Sequence, residues 1–384
     1  MSRFRKVLRV LKIALIVLLI AMVPLALVLS HDSPCTAAPA LSAGATPMKA
    51  IVSRCYGPAD ALKLEDVEKP TPADDQVLVK VHAAAVNPLD FHYMHGTPYI
   101  MRMDSGIGAP KNARLGVDFA GTVEAVGKNV TRFHPGDEVF GGRNGAFGEY
   151  VTVREDRNIV MKPANMSFEQ AASVPIAAIT ALQALRDKGK IQAGQKVLIN
   201  GASGGVGTFA VQIAKSFGTE VTGVCSTKNL DMVRNIGADH VVDYTKQDVT
   251  QGEQHYDLIV DTVGTHSLLE YKRVMNPKGI YVMVGGSNDN WLVGLLGTVA
   301  WTKVLSSFVG QQFTLMLAEL NPQDLKIIGD LMQSGKVTPV IDKTYALKDV
   351  PEALRYLEQG HARGKVVISL EADDDERAPV VKAE

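Results

Sequence analysis

Cysteine is scarce in this sequence. The 384 residues include three cysteines, Cys35, Cys55 and Cys225. An odd and sparse set does not form the disulfide framework of a small secreted domain. We therefore expect reduced or incidental thiols.

An excess of charge of one sign is also lacking. Lysine and arginine number 40 and aspartate and glutamate 41, so the formal net charge is −1. No global electrostatic field therefore favours nucleic acid as a partner. The acidic run EADDDER near the C-terminus predicts a disordered, solvated tail over residues 371–384.

Polar residues are absent from Ile13 to Leu29. As a helix, this run spans roughly 26 Å, close to a hydrocarbon core of about 30 Å. Five cations precede the run and none follows before Lys49, which predicts a cytosolic N-terminus and a body across the membrane. The segment over residues 1–30 is interpreted as a membrane anchor or, alternatively, as a cleavable signal peptide. We expect a membrane-associated protein, its side of the membrane left open, with a flexible linker over 31–47.

Short strands begin at Met48. The stretches KAIVSRCYG and DDQVLVKVHAAAV alternate apolar and polar residues, and FAGTVEAVG and DEVFG follow between glycine turns. Many short strands with glycine and proline–glycine turns are typical of a β-rich, barrel-like unit.

A second kind of unit begins near residue 195. QKVLIN is a short apolar strand, GASGGVG is a glycine loop, TFAVQIAKSFG is helical by periodicity, and EVTGVCS is another strand. A glycine loop between a strand and a helix brings backbone N–H groups and a positive helix end to a diphosphate. HVVDY, DLIVDTVG and GIYVMVGG continue the alternation, which predicts a parallel, doubly wound sheet.

Four stretches occur in an order that resembles one enzyme superfamily. They are AAAVNPLDFHYMHG, LGVDFAGTVEAVGKNVTRFHPGDEVFG, GAFGEYVTV and ASVPIAAITALQAL, and they are similar to the medium-chain dehydrogenase/reductases, best to the zinc-independent, quinone-oxidoreductase-like branch. The resemblance covers nearly the whole body and implies an α/β fold and a homodimer. It further implies a GroES-like catalytic domain over 48–176, a Rossmann NADP-binding domain over 177–311, and a return to the catalytic domain over 312–370.

The residues at the zinc-ligand positions of this superfamily argue against a metal. The usual cysteine position in AVNPLD holds Asn87, and the GHE motif is replaced by GVD at 116–118. No cysteine lies between Cys55 and Cys225, so the four-cysteine structural lobe is missing too. Because catalytic zinc needs cysteine and histidine ligands, we expect no metal.

The residues after the second strand of the nucleotide unit favour NADPH over NADH. An NAD site usually has an acidic residue there, whereas this chain has Ser226, Thr227 and Lys228. Hydroxyls and a cation suit a 2′-phosphate. The candidate cofactor residues, several of which rest on the resemblance, are Thr180, Gly204, Gly205, Val206, Gly207, Ser226, Thr227, Lys228, Tyr244, Gly285, Arg363 and Lys365.

Three residues of the NPLDFHY segment are the catalytic candidates. We expect the amide of Asn87 near the nicotinamide or the acceptor oxygen, although an asparagine before proline is also a common turn residue. Asp90 is expected to order the loop, and Tyr93 could donate to an oxyanion. In the quinone reductases that the chain resembles, the tyrosine stands one position earlier, where this chain has His92.

Without zinc, hydrogen-bond donors must polarise the acceptor, which favours quinones and α,β-unsaturated carbonyls over plain ketones. The sequence therefore predicts an NADPH-dependent reductase of quinones or enones that is tethered to a membrane. The alternative is a non-enzymatic NADPH-binding scaffold at a membrane.

Overall fold

The computed structural model describes residues 23–285, 302 and 309–371, and the strands in these ranges form three sheets. The smallest pairs β1 (Pro47–Val52) with β2 (Lys63–Glu68) in antiparallel register. A seven-stranded sheet contains β3 (Gln76–Val86), β4 (Asp118–Val126), β5 (Glu138–Gly142), β6 (Tyr150–Arg154), β7 (Ile159–Met161), β14 (Ile341–Ala346) and β15 (Lys365–Ser369).

The seven-stranded sheet has the order β14-β15-β3-β4-β5-β7, and β6 pairs with β3. Only β14 and β15 run parallel to each other among these neighbours. Val79 and Val81 flank the exposed Lys80 on β3 and are buried in one core with Phe119 and Phe147. The alternation in the sequence thus yields the predicted β-rich domain, and the C-terminal part of the chain adds β14 and β15 to it.

A six-stranded sheet follows with the order β10-β9-β8-β11-β12-β13, and all of its pairs are parallel. Because the order reverses between β8 and β11, a crevice for a ligand is expected at the carboxyl ends of these two strands. The predicted doubly wound parallel sheet is confirmed. Its strands are β8 (Lys196–Asn200), β9 (Glu220–Cys225), β10 (His240–Asp243), β11 (Tyr256–Asp261), β12 (Met275–Met283) and β13 (Gln312–Leu315).

The helices pack around and between the two large sheets. Residues 23–30 are helical (α1) and are followed by α2 (Pro88–His95), α3 (Arg102–Ser105), α4 (Phe168–Ala172), α5 (Pro175–Gln183), α6 (Gly205–Ser216), α7 (Leu230–Asn235), α8 (Leu268–Arg273), α9 (Pro322–Gln333) and α10 (Val350–Glu358). Helix α5 is almost entirely buried. Its alanines share one core with Ala85 of the first sheet and Ile199 of the second. This shared core fixes the two sheets relative to each other.

The predicted flexible linker is bound to the body at its first residues. The guanidinium of Arg102, 1% exposed, donates from Nη1 to the carbonyls of Leu29 and His31 and forms an ion pair with Asp32 at 2.8 Å. The N–H of Ser33 donates to the Gly108 carbonyl at 2.8 Å. The flexibility expected from the small, polar composition is therefore wrong for this stretch, because a buried arginine holds its backbone.

The expectation of three reduced thiols is also wrong. Cys35 and Cys55 form a disulfide with their Cα atoms 4.6 Å apart, whereas Cys225 is free and buried. The count of cysteines gave no sign of this pair, because the binding of residues 29–35 to the first domain brings the two thiols together.

Several predicted features lie outside the described residues. They are the N-terminal segment over 1–22, with most of the apolar run, and the acidic tail over 372–384. In the part of the chain that the structure describes, no helix is long and apolar enough to cross a membrane. The domain boundaries at 176, 311 and 370 stay predictions.

Candidate active site

The glycine loop lies at the carboxyl edge of the parallel sheet, between β8 and α6. Gly204 caps α6 without a side-chain hydrogen bond, and the first turn of the helix contains no acidic residue. The N–H groups of Gly205, Val206 and Gly207 have no partner inside the helix and lie at its positive end. This end of α6 has the geometry and the potential to bind a diphosphate.

Close backbone contacts explain two of the glycines. A Cβ atom on Gly207 would lie 2.0 Å from the Gly201 oxygen, and one on Gly285 would lie 2.4 Å from the Thr262 oxygen. Gly204 differs, because a Cβ there would meet only the Gly201 oxygen, at 3.4 Å. Packing therefore requires Gly207 and Gly285, whereas Gly204 leaves open space beside the helix end.

Polar residues cluster at the ends of β9 and β10. Thr227 donates to Asp243 at 2.5 Å, and this bond is the main reason why the pKa of the Asp243 carboxyl is lowered to about 2. Lys228 is exposed and Tyr244 is 57% exposed, with its N–H bonded to the end of β9. Together with Ser226 they offer hydroxyls, an ammonium and a ring. The sequence analysis did not name Asp243 as a site residue. Its position directly before Tyr244, at the end of the VVDY strand, could have indicated it.

The segment before β15 crosses the glycine loop. Gly364 donates its N–H to the Ser203 carbonyl at 2.9 Å, and the N–H of Arg363 donates to Asp342 at the same distance. The side chain of Arg363 is exposed. This crossing brings the backbone of Arg363 beside the glycine loop, and the role of its side chain at a 2′-phosphate stays a prediction.

A buried ion pair lies where β15 meets β3 and β4. Lys365 is 3% exposed, and its Nζ donates to Oδ1 of Asn87 at 2.5 Å and to the Val86 carbonyl at 3.2 Å. The same Nζ lies 3.8 Å from Oδ2 of Asp118. The Lys365 stem passes the glycine loop, since a Cβ on Gly205 would lie 3.2 Å from its Cδ. One side chain therefore links the diphosphate end of α6 with Asn87.

Asn87 uses both ends of its amide inside the protein. Its Nδ2 donates to Asp118 at 3.0 Å and to the Ala85 carbonyl at 3.3 Å, and its Oδ1 accepts from Lys365. Both amide hydrogens are thus occupied. In this arrangement Asn87 positions Asp118 and Lys365 and has no free hydrogen for an acceptor oxygen.

Asp90, on α2, is fully buried. Its Oδ2 accepts from the N–H of Asn87 at 2.7 Å, whereas its Oδ1 has no partner among the described residues. Burial raises the pKa of Asp90 from 3.8 to about 8. Burial also raises the pKa of Asp118 to about 6 and lowers the pKa of Lys365. At neutral pH, a protonated Asp90 therefore lies beside the ion pair of Asp118 and Lys365.

Replacement of Asp90 by asparagine should make stability less dependent on pH. In the folded wild-type protein, the Asp90 carboxyl keeps its proton up to about pH 8, whereas in the unfolded chain it loses that proton above about pH 4. The contribution of Asp90 to the free energy of unfolding therefore falls as pH rises from 4 towards 8. Asparagine does not titrate. Between these pH values, the free energy of unfolding of the Asp90→Asn variant should therefore rise relative to that of wild type by up to about 1.4 kcal/mol per pH unit. Urea unfolding from pH 4.5 to 8 measures the difference.

The exposed Asp231 provides the matched control, and the Asp231→Asn variant should follow the wild-type curve. A difference between Asp90→Asn and wild type that stays constant across this pH range would contradict a neutral Asp90.

A cavity of about 120 Å³ opens next to this cluster. Gly116 and Val117, directly before Asp118, form part of its wall, and Tyr93 of α2 lines it. Burial raises the pKa of Tyr93, and the charges of Asp104 and Asp90 add to the shift. The Tyr93 phenol therefore keeps its proton at neutral pH and is a hydrogen-bond donor at the cavity.

Thr180 lies on the interdomain helix α5. It is 8% exposed, and its hydroxyl donates to the Ile176 carbonyl at 2.6 Å. The hydroxyl oxygen can still accept a hydrogen bond from a ligand amide.

Among the described residues, no group of three or more histidine, cysteine, aspartate or glutamate side chains could hold a metal ion. Asn87 stands at the usual cysteine position and GVD at 116–118 replaces the GHE motif, so neither offers a cysteine or a histidine. Asn87 and Asp118 instead take part in the buried cluster with Lys365.

Two family models match the chain. Residues 73–164 match the alcohol dehydrogenase GroES-like domain, and residues 236–368 match a family described as zinc-binding dehydrogenase.

Relatives of known name cover most of the chain. NAD(P)H oxidoreductase RTN4IP1, mitochondrial, of Mus musculus is 34% identical over 86% of this chain and 91% of that protein. The NADPH-dependent alkenal/one oxidoreductase, chloroplastic, of Arabidopsis thaliana is 34% identical over 84% of this chain and 79% of that protein. The solved quinone oxidoreductase of Coxiella burnetii superposes with a TM-score of 0.74 at 30% identity, over 85% of this chain and all of that one.

The predicted membrane-associated localisation is contradicted. The mouse relative, which aligns with most of this chain, is named as a mitochondrial protein. The apolar composition of the first 30 residues misled the prediction.

Proposed function

The chain belongs to the medium-chain dehydrogenase/reductase superfamily, in its zinc-independent branch, and is an oxidoreductase; from this membership we propose that it uses NADPH to reduce α,β-unsaturated carbonyls or quinones. The observation that carries the proposal is the open N-terminal end of α6, which suits a diphosphate and which the buried Lys365 links to Asn87. A cavity with a phenol donor, Tyr93, lies in the same domain as Asn87. The names of the Arabidopsis and Coxiella relatives support the acceptor class.

The residues present fit NADPH. The N–H groups of the first turn of α6, from Gly205 to Gly207, would hold the diphosphate, and the open space at Gly204 admits it. Ser226, Lys228 and Arg363 would bind the 2′-phosphate, since charge-assisted bonds to a phosphate are strong. When bound, NADPH supplies the hydride.

The acceptor must be activated by its own conjugation. The buried Asp118–Lys365 pair is engaged with Asn87 and does not line the cavity. The Tyr93 phenol would donate to the acceptor oxygen as negative charge develops there. A carbonyl conjugated to a carbon–carbon double bond, or a quinone, spreads that charge onto oxygen, and solvent supplies the proton.

The alternative of a non-enzymatic NADPH-binding scaffold is not favoured, because the relatives that cover most of this chain are named as oxidoreductases. The homodimer implied by the family resemblance stays a prediction.

Replacement of Lys228 by alanine should weaken NADPH binding and leave NADH binding unchanged. Loss of a charge-assisted hydrogen bond to the 2′-phosphate is expected to reduce NADPH affinity about 10- to 100-fold. Fluorescence titration of the full chain with each nucleotide measures both affinities, and a panel of quinones and enones then tests turnover on the same samples.

The exposed Lys278, on β12, provides the control, and the Lys278→Ala variant should bind both nucleotides as wild type does. Equal wild-type affinity for NADH and NADPH would contradict the cofactor assignment. NADPH binding without turnover of any acceptor would instead contradict the reductase assignment.

A further inference from the structure

The cavity beside Tyr93 has a cationic side. Arg114 and Lys111 line it together with Tyr93 and Asp104. The charge of Asp104 helps to raise the pKa of Tyr93, so an acidic side chain lies near the phenol. The two cations of the lining outnumber this single acidic side chain.

Arg114 is half-buried and lies against Gly145. A Cβ on Gly145 would come within 3.4 Å of the Arg114 Nε, and Gly145 has a φ of +100°. Burial lowers the pKa of Arg114, and the nearby charge of Arg143 lowers it further. The chain thus holds a partly desolvated guanidinium near a second arginine, which costs stability unless an anion offsets the repulsion.

Other arginines of similar burial have acidic partners. In the described part of the chain, carboxylates pair with the partly or fully buried guanidinium groups of Arg54, Arg102 and Arg186. Arg114 has no carboxylate within ion-pair distance among these residues. A protein that pairs its other shielded arginines and leaves this one open at a cavity keeps a site for an external anion.

We propose that Arg114 binds an anionic group of the acceptor, a carboxylate or a phosphate, at the opposite side of the cavity from the Tyr93 phenol. The planar guanidinium can donate two parallel hydrogen bonds to either group, and Lys111 and Arg143 add positive potential. This proposal rests on the proposed function and narrows it: the substrates are enones, or enoyl thioesters, that carry an acidic group. The cavity is smaller than the roughly 300 Å³ of a typical small-molecule site, so it holds the reacting end and the anion of such a molecule.

A matched pair of acceptors tests the charge alone. (E)-4-oxo-4-phenylbut-2-enoate and its methyl ester share the enone and differ in the carboxylate. The kcat/KM for the acid divided by that for the ester should fall about 10- to 100-fold in the Arg114→Gln variant, because only the acid loses a charge-assisted bond. The ester should keep its wild-type kcat/KM. The variant Arg157→Gln, at an exposed arginine outside the cavity, should leave both values unchanged.

A phosphate-bearing arm identifies the source of the anion. (E)-3-oxo-3-phenylprop-1-enylphosphonate and its dimethyl ester share the enone, and only the first carries a phosphate-like dianion. A ratio that depends on Arg114 in this pair, and not in the first pair, assigns the site to phosphate. Ratios that do not change in either pair overturn the proposal.

Binding of unreactive ligands separates this proposal from the reductase assignment. Calorimetry of the saturated acid 4-oxo-4-phenylbutanoate and of 3-oxo-3-phenylpropylphosphonate, each with NADP⁺ present, needs no turnover. Binding to wild type that is lost in Arg114→Gln supports the anion site even when no acceptor is reduced. Absence of binding, or equal binding to both proteins, overturns the site whether or not the enzyme reduces enones.

Discussion

Replacement of Lys365 by methionine is expected to lower the free energy of unfolding by about 3 to 5 kcal/mol, the range found when one partner of a buried ion pair is removed. The change leaves the fully buried Asp118 without its cationic partner and the Oδ1 atom of Asn87 without a donor. Methionine has nearly the same length as the lysine stem, so lost packing contributes little. Urea unfolding at pH 7 gives the difference.

A double variant shows whether the charge is the cause. Adding Asp118→Asn to Lys365→Met removes both charges, so most of the lost stability should return. The exposed Lys228, changed to methionine, should leave stability within about 0.5 kcal/mol of wild type. Wild-type stability in the Lys365→Met single variant would show that the ion pair contributes nothing.

The variant Gly207→Ala is expected to lose both stability and NADPH affinity, whereas Gly204→Ala is expected to lose NADPH affinity alone. A Cβ on Gly207 would clash with the Gly201 oxygen at 2.0 Å, so α6 must move away from β8. The expected cost is about 3 kcal/mol of stability, at the upper end for overpacking. The same distortion of the helix end should reduce NADPH affinity about 100-fold, because each 1.4 kcal/mol is a factor of ten.

The Gly204→Ala variant should keep the fold and bind NADPH more weakly. A Cβ there meets only the Gly201 oxygen, at an ordinary contact distance of 3.4 Å. Thermal unfolding should stay at the wild-type midpoint, whereas the added methyl group stands where the diphosphate approaches and should reduce NADPH affinity about tenfold. Full NADPH affinity in this variant would show that the diphosphate binds elsewhere.

Local features of the sequence were enough to predict the glycine loop and its place in a parallel sheet. The strand, glycine loop and helix around Gly204 are consecutive in the chain, and their order fixes the loop at the edge of a parallel sheet. The hydroxyls and cation at Ser226 to Lys228 likewise follow directly from the end of β9. Such contacts depend on neighbours within about 30 residues, which pattern and propensity can describe.

The catalytic half could not be predicted in the same way. The bond between Lys365 and Asn87 joins residues 278 positions apart. The GVD motif showed that Asp118 stands in a segment that differs from the GHE motif of the superfamily. It did not show that Lys365 pairs with this carboxylate. The disulfide of Cys55 was missed for the same reason, since it depends on the distant Arg102 and the backbone that this residue binds. A sequence pattern describes residues that are near each other in the chain, whereas these contacts arise when β15 and residues 29–35 pack against distant parts of the fold.

The binding of residues 29–35 to the first domain also determines where this protein can be shortened. A chain that began at Met48 would keep both large sheets, yet the Cys55 thiol would lose its partner. Arg102 would remain buried without Asp32 and two of its carbonyl acceptors. The loop from α2 to β4 supplies Asp104 and Arg114 to the cavity, and it would lose its outer support. The smallest unit that preserves the cavity of the proposed acceptor site therefore begins before Leu29, ahead of the first strand.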